Sequence, residues 1–259
     1  MKIALRIIDG LPIPPGTAEA PLTGPWKGAF AHVGPERLTP LKEALFDKTG
    51  AALYTLYSGV LLWSAVRLQP HANVAPIYHL AEALFAWQQD WRWFGRPAKI
   101  ADIDRIDEAP RGEASVLCLL DLIHQDHIYE NGMWPPEPMF STVAEAITLT
   151  RHNLPKPAKT VFEGWVQQMI DRLNAIAPFP EHGQTPPLES GETPARRAWA
   201  AKVMGRPLPP SVLDLAHPAG PAGFAGEWAE VLGLLDWQGN PYLRRPDGPP
   251  EPRDGAPGP

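Results

Sequence analysis

The chain has 259 residues, of which 44% are hydrophobic and 20% charged, as in a globular protein long enough to bury a substantial core. Its formal net charge of −6, together with the lack of any run of five Lys or Arg residues, argues against a nucleic-acid-binding protein. Cys118 is the only cysteine, which excludes an intramolecular disulfide framework. Its apolar neighbours in the stretch SVLCLLDLI predict a buried thiol.

The N-terminal region predicts a little β-structure. The run KIALRII (residues 2–8) predicts a short strand, and Gly28–Val33 is its candidate partner in a two-stranded ribbon. The intervening segment is too rich in proline for a helix. Arg6 and Asp9 interrupt the apolar run, so the sequence does not predict a signal peptide.

From residue 38 onward the apolar residues recur with a helical period. The uncharged stretch Thr49–Val66 approaches the length of a membrane span, but its Tyr, Thr, Ser and Gly residues favour a core helix of a cytoplasmic protein. The third predicted helix, Asn73–Phe94, carries two apolar stripes, so we expect it to contact at least two neighbours and to be the central helix. The helices predicted in this part, each bounded by Pro or Gly, are Pro40–Lys48, Gly50–Gln69 and Asn73–Phe94.

The middle of the chain continues the helical pattern. The sequence predicts a helix from about Glu113 to Tyr129. Between Val116 and Ile123 this helix is apolar all round except at Asp121, which predicts that it is enclosed on every side. Thr142 and Glu145 have the spacing of a capping box, and so do Thr160 and Glu163. They predict one helix from Thr142 to about His152 and another to about Ile176, the latter beginning before Thr160 if Pro157 occupies its first turn.

Beyond residue 177 the composition changes, with 17 prolines among the last 82 residues. This predicts short helices joined by stiff loops that pack on a body formed earlier. The sequence therefore predicts an all-α irregular bundle in three parts: a helical core domain (1–177), a Pro-rich helical extension (178–245) and a disordered tail (246–259).

The stretch DLIHQDHIYE holds the strongest candidate for a chemical site. Its residues Asp121, His124 and His127 follow one another at steps of three, so they lie within about 120° on one helix. His79 and Glu82, one turn apart on the central helix, could complete a divalent-metal site between two helices. The residue identities do not match the Glu-x-x-His pattern of di-iron bundles.

Two other interpretations of this stretch remain open. Asp121 and His124 form a structural pair in the first, because a buried carboxylate needs a partner. In the second, Asp121 orients His124 for acid–base catalysis, although no nucleophile motif accompanies them. The cofactor is accordingly unknown, and a divalent metal is implied only under the metal-site hypothesis.

The segment FAWQQDWRWFGR contains a candidate binding surface. Exposed Trp beside Arg is typical of protein-binding hot spots, and Arg92, Trp93 and Arg96 have that composition at the predicted end of the central helix. The alternative is that Trp93 packs in the core under the polar connector that follows.

These patterns favour a soluble, cytoplasmic helical protein that binds or regulates a macromolecule, most simply another protein. Its acidity suits a basic partner, as an inhibitor or immunity-type protein would need. Binding to nucleic acid or a membrane is not expected. The alternative is a metal-dependent enzyme or hydrolase of the helical-bundle class that uses the Asp/His cluster.

Overall fold

A computed structural model of the chain describes residues 2–22, 39–95, 106–124, 137–180, 193–216 and 224–245. Within these ranges the protein is all-α and contains no strand, which confirms the predicted fold class. Short 3-10 helices occur at Trp91–Trp93 and Pro210–Leu213. The α-helices are α1 (Lys2–Gly10), α2 (Pro40–Phe46), α3 (Gly50–Leu68), α4 (Ala75–Gln89), α5 (Arg111–His124), α6 (Glu137–Asn153), α7 (Lys156–Ile176), α8 (Pro194–Met204) and α9 (Phe224–Leu234).

The predicted N-terminal strand is wrong, because residues 2–10 form helix α1. Ile3, Ala4 and Ile7 are buried at helical spacing, whereas Leu5 is 56% exposed. The run KIALRII predicted a strand, but the helical period determines which of its residues meet the core. The proposed partner strand, Gly28–Val33, lies outside the described residues.

Helix α3 occupies the centre of the bundle. It packs against α1, α4, α5, α6, α7 and α8, so nearly every side chain along it is buried. Among the described helices, only α3 is long and apolar enough to cross a membrane, and 94% of that apolar window is buried inside the protein. Enclosure by six neighbouring helices accounts for its composition.

Helix α4 ends five residues before the predicted end at Phe94. Asp90 has an extended backbone, and its carboxylate accepts a hydrogen bond from the backbone N–H of Arg92 at 3.0 Å. That bond caps the following 3-10 helix, since an Asp side chain readily satisfies a free N–H group at a helix start. The chain therefore leaves the α-helix in the middle of the segment FAWQQDWRWFGR (residues 85–96), which we call the Trp-rich segment.

The start of α6 also differs from the prediction. Helix α6 begins at Glu137 rather than at Thr142, so the apparent capping box at Thr142 lies inside a helix. Helix α5 is described only as far as His124, and the remainder of its predicted range lies outside the described residues. Helix α7 begins before Thr160, with Pro157 in its first turn, as the sequence predicted.

The C-terminal half joins the same hydrophobic core as the N-terminal half. Leu208, Leu213, Trp228 and Tyr242 belong to the core cluster that includes α3 and α4. The buried side chain of Gln88 on α4 accepts a hydrogen bond from the backbone N–H of Leu208 at 2.9 Å. The division into domains stays a prediction, and the tail (246–259) lies outside the described residues.

Helix α1 is attached to the bundle through a buried carboxylate. Glu82 on α4 is 0% exposed, and its Oε1 atom accepts hydrogen bonds from the backbone N–H groups of Ile3 (3.1 Å) and Ala4 (3.3 Å). The first N–H groups of a helix lack partners within the helix, and the helix dipole favours negative charge there. Glu82 therefore provides an acceptor for the first N–H groups of α1, and these hydrogen bonds offset the free-energy cost of burying its carboxylate.

We expect Glu82→Ala to lower the free energy of unfolding by about 2–4 kcal/mol, because two buried N–H groups lose a charged acceptor and a void is created. Urea denaturation measures the loss. Hydrogen exchange should accelerate at the amides of α1 more than at those of α7. Glu82→Gln, which keeps an oxygen acceptor, should cost less, and unchanged exchange in α1 for both variants would contradict this role.

Candidate functional site

The predicted Asp/His cluster is only partly described. Asp121 is half-buried on α5, and the side chain of His124 and the whole of His127 lie outside the described residues. Burial raises the pKa of Cys118 to about 11, and the carboxylates of Asp121 and Asp107 add to that rise. The Asp121–His124 pair, the catalytic role and the metal site all stay predictions.

Of the two candidate ligands on α4, Glu82 is engaged through its side chain, whereas the hydrogen bond described for His79 is to its backbone. Glu82 binds the N-terminus of α1, while the backbone carbonyl of His79 accepts a hydrogen bond from Asn240 Nδ2 at 2.8 Å. Burial lowers the pKa of His79, and the carboxylates of Glu82 and Asp236 oppose that shift. Helices α4 and α5 do pack together, but the described residues contain no group of three His, Cys, Asp or Glu arranged for a metal ion.

The Trp-rich segment packs against the C-terminal part of the described chain and is hydrogen-bonded to it. Trp93 is 6% exposed and meets Trp237 edge to face, with ring centroids 5.4 Å apart. Its backbone carbonyl accepts a hydrogen bond from the N–H of Arg244 at 2.8 Å. Arg92 forms an ion pair with the buried Asp90 at 2.5 Å, and Arg96 lies outside the described residues. A partner-binding role for Arg92, Trp93 and Arg96 stays a prediction, and the Trp93 ring has little free surface to offer.

Trp93→Ala should lower the free energy of unfolding by about 3–5 kcal/mol, because it removes a large buried side chain beneath Trp237. Thermal and urea denaturation both measure this change. A Trp93→Ala protein that melts like the wild type would show instead that the ring contributes little to the core and is available to a partner.

The described part of the chain also contains a groove that sequence reasoning missed. Its inner end is a cavity of about 150 Å³ between α1, the 3-10 helix Pro210–Leu213 and α9. Its outer end is a wider cavity of about 420 Å³ between the C-terminus of α1 and α7. Gly10 and Asp214 line both cavities, so the two adjoin each other, and we call them together the α1–α7 groove.

The groove depends on a close approach between the C-terminus of α1 and Asp214, the residue after the 3-10 helix Pro210–Leu213. A Cβ atom at Gly10 would lie 3.0 Å from the Cβ of Asp214, which is tighter than ordinary packing. The Asp214 backbone carbonyl accepts a hydrogen bond from Arg172 Nη1 at 2.7 Å, and its Oδ1 accepts one from the N–H of Ala216 at 2.9 Å. These bonds fix the position of the Asp214 carboxylate at the junction of the two cavities.

Other polar groups of the inner cavity are paired. The Glu227 carboxylate accepts hydrogen bonds from both the backbone N–H and the hydroxyl of Ser211. Arg6 forms an ion pair with Glu230 at 2.6 Å on the half-exposed rim. The inner walls between these groups are apolar and are formed by Ile3, Ile7, Pro210, Val231 and Leu234.

Helix α7 contributes the outer wall. Val161, which lines this wall, is 37% exposed and is among the few large apolar side chains open to solvent in the described residues. Gly164 lies one turn further along, and a Cβ atom added there would have nothing within 4 Å. This glycine in the middle of an amphipathic helix was the one signal in the sequence that could have pointed to the groove.

We expect Gly164→Ala to raise the free energy of unfolding by about 0.5–1 kcal/mol, since it removes a glycine from a helix interior without a clash. Gly59→Ala, the same change on α3, is the control, because its Cβ would lie 2.6 Å from the Trp165 ring. That variant should be destabilised by about 1–3 kcal/mol through overpacking. Urea denaturation of both proteins measures whether the free energy of unfolding rises or falls in each variant. If Gly164→Ala lowers it, the groove is closed at this position.

Comparison of the chain with protein-family models, with curated proteins and with solved structures finds no significant match. The function must therefore be argued from the residues of the site.

Proposed function

We propose that the protein is a non-catalytic, cytoplasmic binding protein that regulates another protein by holding a segment of it in the α1–α7 groove. An inhibitor or immunity-type protein would act in this way. The observation that carries the proposal is that two cavities adjoin each other and share Gly10 and Asp214 in their linings. A groove with one narrow and one wide part suits a chain segment better than a compact metabolite.

The groove's construction supports the same conclusion. Its walls come from α1, α7 and α9, which are elements of the core, and α1 is fixed by the buried Glu82. A preformed site loses less conformational entropy on binding than one that must first be ordered. The exposed apolar side chain of Val161 adds a surface that a partner would remove from water.

A metal-dependent enzyme centred on Asp121, His124 and His127 is the alternative, and no described contact favours it. Glu82, its expected ligand from α4, binds the N-terminus of α1 instead. The groove also lies on different elements from α5. Among the described residues, the two cavities and the contacts of Glu82 support the binding hypothesis.

We expect a photo-crosslinking amino acid at Val161 to yield a discrete adduct in cells of the native host, because Val161 lies in the groove wall. The matched control is the same amino acid at Asn174, which is exposed on α7 and lines neither cavity. Denaturing gels followed by mass spectrometry measure the adducts. Adding Gly164→Gln, which projects a longer side chain into the groove, should abolish the adduct from Val161.

Adducts of the same mass and yield from positions 161 and 174 would show non-specific capture and contradict the proposal. So would an adduct from Val161 that survives Gly164→Gln in a protein of unchanged stability.

A further inference from the structure

We infer that the inner cavity of the α1–α7 groove is a binding site for a small, uncharged and predominantly apolar molecule of the size of a benzene ring. This inference goes beyond the proposed function and does not depend on it. The groove as a whole suits a chain segment, whereas its inner end has the volume of a single small molecule. The partner segment of the proposed function then lies in the outer cavity.

The volume and the walls of the inner cavity define the size of the ligand. The cavity measures about 150 Å³, and its apolar walls are formed by Ile3, Ile7, Pro210, Val231 and Leu234. Protein interiors are packed so closely that few voids exceed the size of a water molecule. An apolar cavity of roughly 150 Å³ in another protein stays free of water and binds benzene. A single apolar ring therefore matches this space.

Buried side chains of α4 hold two of the walls apart. Glu82 binds the first N–H groups of α1, and Gln88 binds the N–H of Leu208, which leads into the 3-10 helix Pro210–Leu213. A shift of either wall into the void would break a buried hydrogen bond, which is costly in free energy. These two walls are therefore kept from closing on the cavity.

Contacts to α9 hold the third wall. Glu227 accepts hydrogen bonds from both the backbone N–H and the hydroxyl of Ser211, and Glu230 pairs with Arg6 of α1 on the rim. Helix α9 is thus bonded to each of the other two walls. Walls that are bonded to one another form a site before any ligand arrives, and such a site loses little conformational entropy on binding.

The charges of the lining favour an uncharged ligand. The two carboxylates that border the inner cavity, Asp214 and Glu227, both accept hydrogen bonds within the chain. Glu227 also lies in the first turn of α9, where the helix dipole favours negative charge, and Asp214 interacts electrostatically with Arg172. The cation of the lining, Arg6, pairs with Glu230. A charged ligand would give up its hydration on entering, whereas these charges already have partners in the chain.

The test uses three probes that share one aromatic ring and differ in charge: toluene, benzylammonium and benzoate. Two-dimensional NMR follows the methyl signals of the full-length protein during each titration, and nuclear Overhauser effects locate the bound ring. Toluene should shift the methyl signals of Ile3, Ile7 and Val231 saturably and should show Overhauser effects to them. Each charged probe should bind about tenfold more weakly, because it must give up its hydration.

Two variants with the same substitution test whether toluene occupies the cavity. Leu234 is half-buried and lines the inner cavity, so Leu234→Phe adds a ring to the space and should weaken toluene binding about tenfold. Leu5 is exposed on α1 and lines neither cavity, so Leu5→Phe should bind toluene like the wild type. Thermal denaturation shows whether each variant is folded. If Leu234→Phe does not fold, the Overhauser effects in the wild type still decide where toluene binds.

Each contrary result overturns the inference. The absence of saturable shifts would exclude a ligand of this class, and a charged probe that binds as tightly as toluene would exclude the charge argument. Overhauser effects to methyl groups outside the cavity, or unchanged toluene binding by a folded Leu234→Phe, would place the site elsewhere. The adduct at Val161 reports on the outer cavity, so its outcome is independent of these probes.

Discussion

The buried polar side chains of α4 are the constraint on which the arrangement of the chain ends depends. Glu82 and Gln88 are both 0% exposed, and each accepts a backbone N–H from a segment far away in sequence. Glu82 fixes the N-terminus of α1, whereas Gln88 fixes Leu208, two residues before the 3-10 helix Pro210–Leu213. A buried acceptor is costly without its donor, so each residue tolerates essentially one position of its segment. The two buried side chains of α4 thereby fix the positions of α1 and of the 3-10 helix Pro210–Leu213, which form walls of the inner cavity.

A second constraint keeps the other wall in place. Gly59 on α3 lies where a Cβ atom would be 2.6 Å from the Trp165 ring and 3.0 Å from a methyl group of Leu213. This close approach brings α7 and the 3-10 helix Pro210–Leu213 against α3 at the same point. The wall containing Gly164 and the segment leading to Asp214 are consequently part of one packed unit. The groove therefore remains between elements that the core holds rigidly, which is the condition for a low entropic cost of binding.

The sequence predicted what depends on local pattern and missed what depends on long-range pairing. Thr39 and Pro40 mark the start of α2, and Pro157 marks that of α7, because caps and first-turn prolines act within a few residues. The run KIALRII was predicted to be a strand, since nothing nearby in sequence reveals that Glu82 accepts the first N–H groups of a helix. The early end of α4 was missed because Asp90 is compatible with a helix interior by composition, yet here its carboxylate caps the next turn.

The groove could not be predicted for a related reason. Gly10 and Asp214 are separated by most of the chain, and neither has a neighbour in sequence that implies chemistry. Sequence reasoning instead selected residues by identity: His and Asp for metals, Trp and Arg for interfaces. Trp93 illustrates the weakness of that choice, because the composition of a hot spot is also that of an aromatic residue packed under another segment. Gly164 was more informative, since it is a glycine in a helix interior that lines the outer cavity, with nothing within 4 Å of the position of a Cβ atom.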